Sequence, residues 1–333
     1  MTRIPLFRSF VVVLPLAIGC VTPETPDSGA TPADEGPQIQ ADWWSDPGSI
    51  LPEAEPEEAR PTSELDVVSE LDRVIGPSDL AVLGVGDDMR LEIVLMDQTG
   101  EVTAVIPTPL TDTWEANFAW SEAGYFLVLS GGSITRVYLN GDVDDFGQPD
   151  GDYVWRVSAD PDGDVTVAEE EEMAEYDEDG DVILAVTDWD ACYMDVDVTE
   201  DGSVLAVDTY GPSVVTWNRE NNVVSTVFGY TPLSWGLDVI GRDLSDTVWV
   251  GESYGARLHV GEGATGARVV GTLTELGQDA DVLLAVEGAG DHSVFVLYDG
   301  WQGSGIVTVT ADGDLAPVAQ AGDNLWLDLV RLN

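Results

Sequence analysis

Carboxylates are the residues of this chain whose spacing points most directly to chemistry, because they cluster in short runs. Three such runs are Asp160-Pro-Asp-Gly-Asp164, Asp177-Glu-Asp-Gly-Asp181 and Asp142-Val-Asp-Asp145. Clustered carboxylate oxygens suit a hard cation such as Ca²⁺, but none of the runs has the spacing of an EF-hand loop. Asp-Gly is also a common sequence in tight hairpin turns. We therefore expect structural turns and no cofactor, with a calcium site as the alternative.

Signatures of catalysis are missing from the sequence. All twelve basic residues are Arg, and without Lys neither a P-loop nor a Schiff base can form. The sequence contains neither His-Glu-x-x-His nor Gly-x-Ser-x-Gly. His259 lies in a strand pattern and His292 in a turn, and we expect both at the surface. The sequence therefore favours a protein that is not an enzyme, without deciding the question.

Cys20 follows a segment with the features of a signal peptide. Arg3 and Arg8 precede an apolar stretch at 10–17, which is shorter than the roughly 20 residues needed to span a bilayer. The sequence Leu16-Ala-Ile-Gly-Cys20 resembles the lipobox of bacterial lipoproteins, with Ala17 in the place of the usual Leu. The resemblance implies a signal peptide over 1–19, removed to leave Cys20 as a lipidated N-terminus. Ordinary cleavage before a free thiol is the alternative.

The resemblance to lipoproteins also implies a location. In that family an Asp after the lipidated Cys favours retention at the inner membrane, and this chain has Val21 there. We therefore expect an extracytoplasmic protein anchored to the bacterial outer membrane, on its periplasmic side or at the cell surface. Cys192 is the other cysteine, and we expect a buried thiol without a partner.

The charge of the chain restricts its partners. Removing Arg3 and Arg8 leaves ten arginines against 63 acidic residues, so the mature chain has a formal charge of −53. Such a surface repels nucleic acid and anionic lipid headgroups, and attracts cations and basic partners. High acid content also serves solubility in a salty environment, so it does not by itself indicate a binding site.

Two regions of different composition follow the signal peptide. Residues 20–62 are rich in Pro, Glu, Asp, Thr and Gly and hold few large aliphatic residues. They cannot bury enough apolar surface to offset chain entropy, so we expect a disordered acidic linker. We assign residues 63–333 to a folded body. From about residue 77, short alternating apolar runs are separated by turn sequences, which is typical of an all-β domain.

The all-β region repeats with a period of 39 residues. Gly124, Gly163 and Gly202 are spaced at this interval, and Trp114 and Tyr153 precede the first two by ten residues. Each repeat supplies four strand-like segments, which predicts one blade of a β-propeller. Five complete blades are predicted, at about 114–150, 153–187, 192–229, 235–271 and 281–320.

The two ends of the body predict a sixth blade. Residues 79–107 supply three strands, and Leu325-Trp-Leu-Asp-Leu-Val330 resembles an innermost strand with nothing after it. Joining them closes the ring and removes an open sheet edge, which would otherwise invite aggregation. The predicted fold class is therefore an all-β, six-bladed β-propeller whose C-terminal strand completes the N-terminal blade. We expect a monomer.

The repeats resemble those of NHL-type and other six-bladed propellers. The likeness is clearest in Gly-Ser-Val-Leu-Ala-Val-Asp at 202–208, followed by Val-Val-Thr-Trp at 214–217. The Asn-x-Arg element common in such repeats is absent, because Tyr210-Gly-Pro stands in its place. The resemblance implies the fold over residues 77–333, and it does not carry a ligand with it.

Aromatic residues stand at or near the start of several predicted innermost strands: Trp114, Tyr153, Trp235 and Trp326. Large aromatic side chains in this position either pack between blades or surround the mouth of the channel. Arg156 also lies on a predicted innermost strand, and a basic residue lining the channel would suit an anion. These five residues are our candidates for ligand contact.

Three functions are compatible with this pattern. The first is a non-enzymatic module that binds an envelope protein or a glycan and is held at the membrane by its lipid anchor. The second is a divalent-metal-dependent hydrolase similar to the gluconolactonases, six-bladed propellers whose channel ion is held by carboxylates and Asn. Asn117 and Asp197 would be the first candidates for its metal ligands. The third is a purely structural surface protein.

Overall fold

The computed structural model describes most of the folded body. The described residues are 79–149, 153–160, 163–199, 201–229, 237–253, 255–261, 266–322 and 324–332. Cys20, Trp235 and the linker at 20–62 lie outside them, and the chain divides into one unit at Met1–Asp66 and another at Val67–Asn333. No helix in the described part is long and apolar enough to cross a membrane.

The described residues form 24 strands arranged in six four-stranded antiparallel sheets, which are the blades of a β-propeller. From the innermost strand outward, blade 1 is β24 (Leu325–Arg331), β1 (Leu80–Val85), β2 (Leu91–Met96) and β3 (Val102–Pro107). Blade 2 is β4 (Asn117–Ser121), β5 (Tyr125–Ser130), β6 (Ser133–Tyr138) and β7 (Val143–Gly147). Blade 3 is β8 (Val154–Ala159), β9 (Val165–Glu169), β10 (Glu172–Tyr176) and β11 (Val182–Thr187).

The second half of the ring repeats the arrangement. Blade 4 is β12 (Tyr193–Val198), β13 (Val204–Asp208), β14 (Ser213–Asn218) and β15 (Val223–Gly229). Blade 5 is β16 (Leu237–Arg242), β17 (Val248–Glu252), β18 (Arg257–Gly261) and β19 (Ala267–Thr272). Blade 6 is β20 (Val282–Gly290), β21 (Ser293–Asp299), β22 (Gly305–Thr310) and β23 (Leu315–Gln320).

Closure of the ring follows the prediction from the two ends of the body. The C-terminal strand β24 pairs antiparallel with β1, with Leu80 opposite Arg331 and Val85 opposite Leu325. Neighbouring inner strands contact one another all the way round the ring. The predicted six blades and the completion of the first by the last strand are both confirmed.

The core lies between blades rather than within a single central layer. Strand β1 is buried along its whole length, whereas the outer strand β3 is mostly exposed. Leu83 and Ile93 of blade 1 pack in one cluster with Phe118 and Phe126 of blade 2. A strand covered on both faces is expected to be continuously apolar, which explains the aliphatic runs of the second strand in each blade.

Strand direction divides the loops between the two ends of the propeller. We call the end where the inner strands begin the start face; it carries the blade-to-blade connections and the turns between the second and third strands. The opposite end, the end face, carries the turns between first and second and between third and fourth strands. The acidic runs beginning at Asp142, Asp160 and Asp177 therefore all lie on the end face.

Candidate functional site

Arg156 is the central residue of a charged cluster inside the channel. It lies on β8, and 14% of its side chain is exposed. Its Nε lies 3.0 Å from Asp195 Oδ1 on β12, and its Nη1 lies 2.7 Å from Asp328 Oδ1 on β24. Because both carboxylates are almost fully buried, the guanidinium group ties three inner strands together.

The remaining oxygens of this cluster connect neighbouring blades. Asp328 Oδ2 accepts a hydrogen bond of 2.9 Å from the backbone N–H of Phe118, and Asp195 Oδ2 accepts one of 2.8 Å from Ile240. Asn117 does the same at the next junction, where its Oδ1 accepts the N–H of Val157 at 3.1 Å. A polar side chain at this level of the channel therefore hydrogen-bonds each of these blades to the next.

One of the metal candidates, Asn117, is among these side chains that hydrogen-bond to the neighbouring blade. Besides its Oδ1 contact, Asn117 donates from Nδ2 to the carbonyls of Glu115 (3.0 Å) and Trp155 (2.8 Å). Both of its N–H groups and one lone pair are thus used by backbone. The structure places Asn117 at a structural junction between blades 2 and 3.

A second ion-pair group lies nearer the end face. Asp197, the other metal candidate, accepts a 2.6 Å bond from Arg242 Nε. Arg242 Nη1 lies 2.8 Å from Asp246 Oδ1, and its Nη2 donates to the Val198 carbonyl at 3.0 Å. No group of three or more His, Cys, Asp and Glu side chains in the described part of the chain has an arrangement that could hold a metal ion.

Members of both charged groups line a cavity of about 460 Å³. Its wall is formed mainly by the second halves of the inner strands, so it lies toward the end face. Among the side chains in the wall are Asp195, Asp197, Glu287, Arg156, Arg242 and Trp120. Its size is in the range of small-molecule sites, and its lining is far more charged than is usual for them.

Burial shifts the ionisation of the cavity carboxylates. Desolvation raises the pKa of Asp195 to about 7, although Arg156 opposes the shift. Desolvation also raises the pKa of Asp197 and of Asp328. For Glu287, desolvation and then the charge of Asp197 raise the pKa well above its ordinary value. Burial therefore favours the protonated form of these carboxylates, and a positive charge entering the cavity would favour the ionised form.

The start face carries a different kind of surface. Four aromatic side chains are largely exposed there: Trp114 (49%), Tyr153 (51%), Trp189 (76%) and Trp301 (79%). Trp114, Tyr153 and Trp189 lie in the connections that enter β4, β8 and β12, and Trp301 lies in the turn between β21 and β22. On the described part of the end face, the one large hydrophobic side chain of comparable exposure in a turn is Leu244 (49%).

The aromatic candidates from the sequence separate into three groups. Trp114 and Tyr153 are exposed on the start face, and Tyr153 stacks on Trp155 with ring centroids 6.1 Å apart. Trp326 is 5% exposed and packs in the core between blades 1 and 6, so it is a packing residue instead of a mouth residue. The alternation of β24 explains this, since Leu325 faces out at its start. Trp235 lies outside the described residues.

Arg156 has the predicted position but a different environment. It lines the channel, as its place on an inner strand predicts. It already contacts the two carboxylates Asp195 and Asp328, which raise its pKa although burial alone would lower it. An anion would have to displace one of these carboxylates, so Arg156 is an internal counter-ion in this structure.

Four residues of the candidate surfaces were missed from the sequence: Asp195, Glu287, Trp189 and Trp301. Asn117, Arg156 and Asp195 lie 39 residues apart, so the repeat period itself could have placed Asp195 in the channel. Glu287 had no such signal, because the repeat departs from this spacing in the last two blades. Trp189 and Trp301 lie in connections, where no periodicity orients a side chain.

One expectation about a reactive side chain was wrong. His259 is 1% exposed, not at the surface, and its Nε2 lies 2.9 Å from Glu252 Oε1. The reason is that β18 is covered on both faces by packed blades, so alternation did not expose it. Cys192 is buried, as expected, and its Sγ lies 3.9 Å from Met194 Sδ. His292, by contrast, is exposed as expected.

The fold is shared with solved structures of low sequence identity. A Bacteroides caccae protein of unknown function matches at 14% identity and a TM-score of 0.57, covering 77% of this chain and 99% of its own. Virginiamycin B lyase from Staphylococcus aureus matches at 12% identity and TM-score 0.53, with 72% and 84% covered. A nidogen–laminin complex matches at 12% and 0.56, with 76% and 98% covered.

The sequence itself has no comparable matches. No protein-family model matches the chain, and no curated protein matches it. At such low identities the structural likeness shows the six-bladed propeller fold alone.

Proposed function

We propose that this chain is a non-enzymatic binding module, anchored by lipid at Cys20, that holds a basic protein segment on its start face. The observation that carries the proposal is the exposure of Trp114, Tyr153, Trp189 and Trp301 on one end of the propeller. Exposed aromatic residues are the side chains most enriched where proteins bind one another. The NHL-like character of the repeats and the outer-membrane location are part of the same proposal.

Charge favours a basic protein over a neutral glycan as the partner. Exposed carboxylates accompany the aromatic residues on the start face: Asp112, Asp188, Asp190, Asp279 and Asp281. An Arg or Lys side chain of the partner can stack on a Trp face while it pairs with a carboxylate beside it. Asp188 and Asp190 flank Trp189 directly, which is the best example of this arrangement.

The known neighbours include proteins of more than one class. One of them is a lyase and another belongs to a nidogen–laminin complex, so the fold is compatible with both catalysis and protein binding. The aromatic start face supports binding for this chain. We propose no cofactor, because the metal candidate Asn117 is used by backbone and Asp197 is paired with Arg242.

Paired variants in the cell envelope test the binding function. We expect the intact protein to cross-link to a basic protein in envelope extracts, and the double variant Trp189→Ala/Trp301→Ala to bind it at least tenfold more weakly. Leu244→Ala, which removes a similarly exposed side chain from the end face, is the control and should bind normally. Equal binding by the three proteins, or capture of a glycan instead, would overturn the proposal.

The anchor is tested separately, because it can fail without affecting binding. We expect mass spectrometry of the mature N-terminus to show diacylglycerol on Cys20, and Cys20→Ser to move the protein from the membrane to the soluble fraction. A peptide in which a disulfide joins Cys20 to Cys192 would contradict the anchor, since one sulfur cannot hold both groups. A single species in sedimentation at the mass of one chain would support the monomer that we propose.

A further inference from the structure

The central cavity holds an arrangement of charge that the start face does not use. We propose that it binds a small organic cation bearing an ammonium or guanidinium group, with Glu287 as the anchoring carboxylate. The site lies toward the end face, at the opposite end of the channel from the aromatic residues. It is therefore independent of the partner proposed above.

The charges in the wall of the cavity do not balance. Arg156 is matched by Asp195 and Asp328, and Arg242 by Asp197 and Asp246. Each of these two guanidinium groups thus already has two carboxylates. Asp243, Glu287 and Arg331 are the other charged residues of this wall. The wall therefore holds five carboxylates against three guanidinium groups, which leaves an excess of acid and room for another cation.

Glu287 has no donor of its own. In the described part of the chain, no side chain or backbone group hydrogen-bonds to its carboxylate, and desolvation by its surroundings raises its pKa. Glu287 is partly exposed, and it lines the cavity. A partly desolvated carboxylate without a donor is costly in its charged form unless a cation binds to it. A cationic ligand with N–H donors would supply both the missing hydrogen bonds and the missing charge.

The cavity suits an organic ion better than a bare metal ion. Its volume of about 460 Å³ is far larger than one ion requires. The described residues contain no group of three or more ligands suitably placed for a metal. Trp120 also lines the cavity and packs on Phe126 with ring centroids 4.8 Å apart, so a fixed aromatic side chain is available beside the carbon skeleton of a ligand.

The acidic turns of the end face would favour entry of a cation. The runs beginning at Asp142, Asp160 and Asp177 lie on the same end as the cavity. Rings of like charge around a cleft raise the local concentration of counter-ions and speed their association. This field acts on any cation, so the selectivity must come from Glu287 and the shape of the cavity.

Calorimetry on the mature full-length protein tests the site with defined probes. The probes are putrescine, agmatine and CaCl₂, and 1,4-butanediol is the neutral isostere of putrescine. We expect one or both amines to bind, no binding of the diol, and binding at least tenfold weaker in Glu287→Gln. The matched control is Glu122→Gln, an exposed acid in an end-face turn outside the cavity wall, which should bind like the wild type.

A second readout does not depend on any variant folding. Several charged groups surround Glu287. Asp195, Asp197, Asp328 and Arg156 act on its carboxylate through their charges, and Arg242, Asp243, Asp246 and Arg331 lie in the same cavity wall. Because an entering cation stabilises the ionised carboxylates, amine binding should release protons and tighten as the pH rises from 5.5 to 8. Calorimetry in two buffers of different ionisation enthalpy measures that release on the wild-type protein.

Clear outcomes would overturn the proposal. These are no amine binding at pH 8, binding without proton release, amine affinity unchanged in Glu287→Gln, or Ca²⁺ binding that excludes the amines. Trp189→Ala/Trp301→Ala should leave amine binding unchanged. A loss of partner binding on the start face therefore cannot be mistaken for a failure of the cavity site.

Discussion

At the scale of single residues, Arg156 explains why the channel can hold so many acids. Its two ion pairs, with Asp195 and Asp328, join blades 1, 3 and 4 across the channel. Each carboxylate also accepts a hydrogen bond from a backbone N–H of a neighbouring blade. The cluster therefore balances charge in the channel and joins neighbouring blades. Such a cluster is expensive to break, because removing the cation leaves two buried negative charges unpaired.

Replacing Arg156 should therefore be strongly destabilising. We expect Arg156→Met to lower the free energy of unfolding by about 3–5 kcal/mol, measured by urea denaturation at neutral pH. The control is Arg90→Met, which removes an exposed pair with Asp88 and should change stability by less than about 1 kcal/mol. Similar effects of the two substitutions would show that Arg156 is not the counter-ion of the cluster.

The raised pKa of Asp195 predicts how stability depends on pH. Its pKa is about 7 in the folded protein, against an ordinary value of 3.8, so the folded state binds the proton more tightly than the unfolded state. The resulting stabilisation is complete below about pH 4 and is lost as the pH rises through about 7. Each unit of pKa difference corresponds to about 1.4 kcal/mol. Removing this ionisable group should make the free energy of unfolding depend less strongly on pH.

Urea denaturation at pH 5 and pH 7.5 measures this effect. We expect Asp195→Asn to lose less stability between the two pH values than the wild type does, since Asn keeps an oxygen for the Ile240 N–H. Asp88→Asn, at an exposed site, is the control and should follow the wild type. A dependence in Asp195→Asn equal to that of the wild type would contradict the assignment.

At the scale of elements, the acidic turn that begins at Asp177 is explained by its own hydrogen bonds. Asp177 Oδ1 accepts the backbone N–H groups of Asp179 (3.0 Å) and Asp181 (2.9 Å), and Asp97 makes equivalent bonds in blade 1. Gly180 has a positive φ of 83°, a conformation that favours glycine. Turn formation is therefore a sufficient reason for Asp177 and Gly180 at these positions.

Two glycines of end-face turns provide a matched test of this explanation. A Cβ at Gly180 would lie 2.6 Å from the Phe146 carbonyl oxygen, whereas a Cβ at Gly163 meets nothing within 4 Å. Both have positive φ, so Gly163→Ala should cost roughly 1–2 kcal/mol of stability, and Gly180→Ala clearly more. Equal losses in thermal unfolding would contradict the predicted contact.

We also expect neither EDTA nor CaCl₂ to shift the melting temperature of the wild type.

The elements could be predicted well from the sequence, and the site only in part. The 39-residue spacing of Gly124, Gly163 and Gly202 is imposed by turns that repeat in each blade, so it reports the fold directly. The position of Arg156 in the channel followed from the same period. The exposure of Trp189 and the burial of Trp326 could not be predicted, because both depend on how the connections between blades pack.

At the scale of the whole molecule, stability depends on the ring being closed by its two ends. Strand β24 is the innermost strand of blade 1 and carries Asp328, so one segment closes the sheet and completes the charged cluster. Removing residues 325–333 should expose the edge of β1 and give an aggregating protein without a cooperative thermal transition. A circular permutant that places 325–333 ahead of residue 79 should melt like the wild type. Cooperative unfolding of the truncated chain would contradict this role.

The two ends of the propeller thus present different surfaces, which the two proposals above assign to different ligands. The start face presents exposed aromatic side chains beside carboxylates, and the end face presents acidic turns around a charged cavity. A lipid anchor at the end of a long acidic linker would leave both ends accessible, which suits a module that binds a partner in the cell envelope.

Site-specific photo-crosslinking in the native envelope tests the central claim most directly. A photoreactive amino acid in place of Trp301 samples the start face, and the same group in place of Leu244 samples the end face. The proposed function predicts a discrete cross-linked complex with a basic protein from position 301 and none from position 244. Complexes from position 244 alone, or the same complexes from both positions, would contradict it.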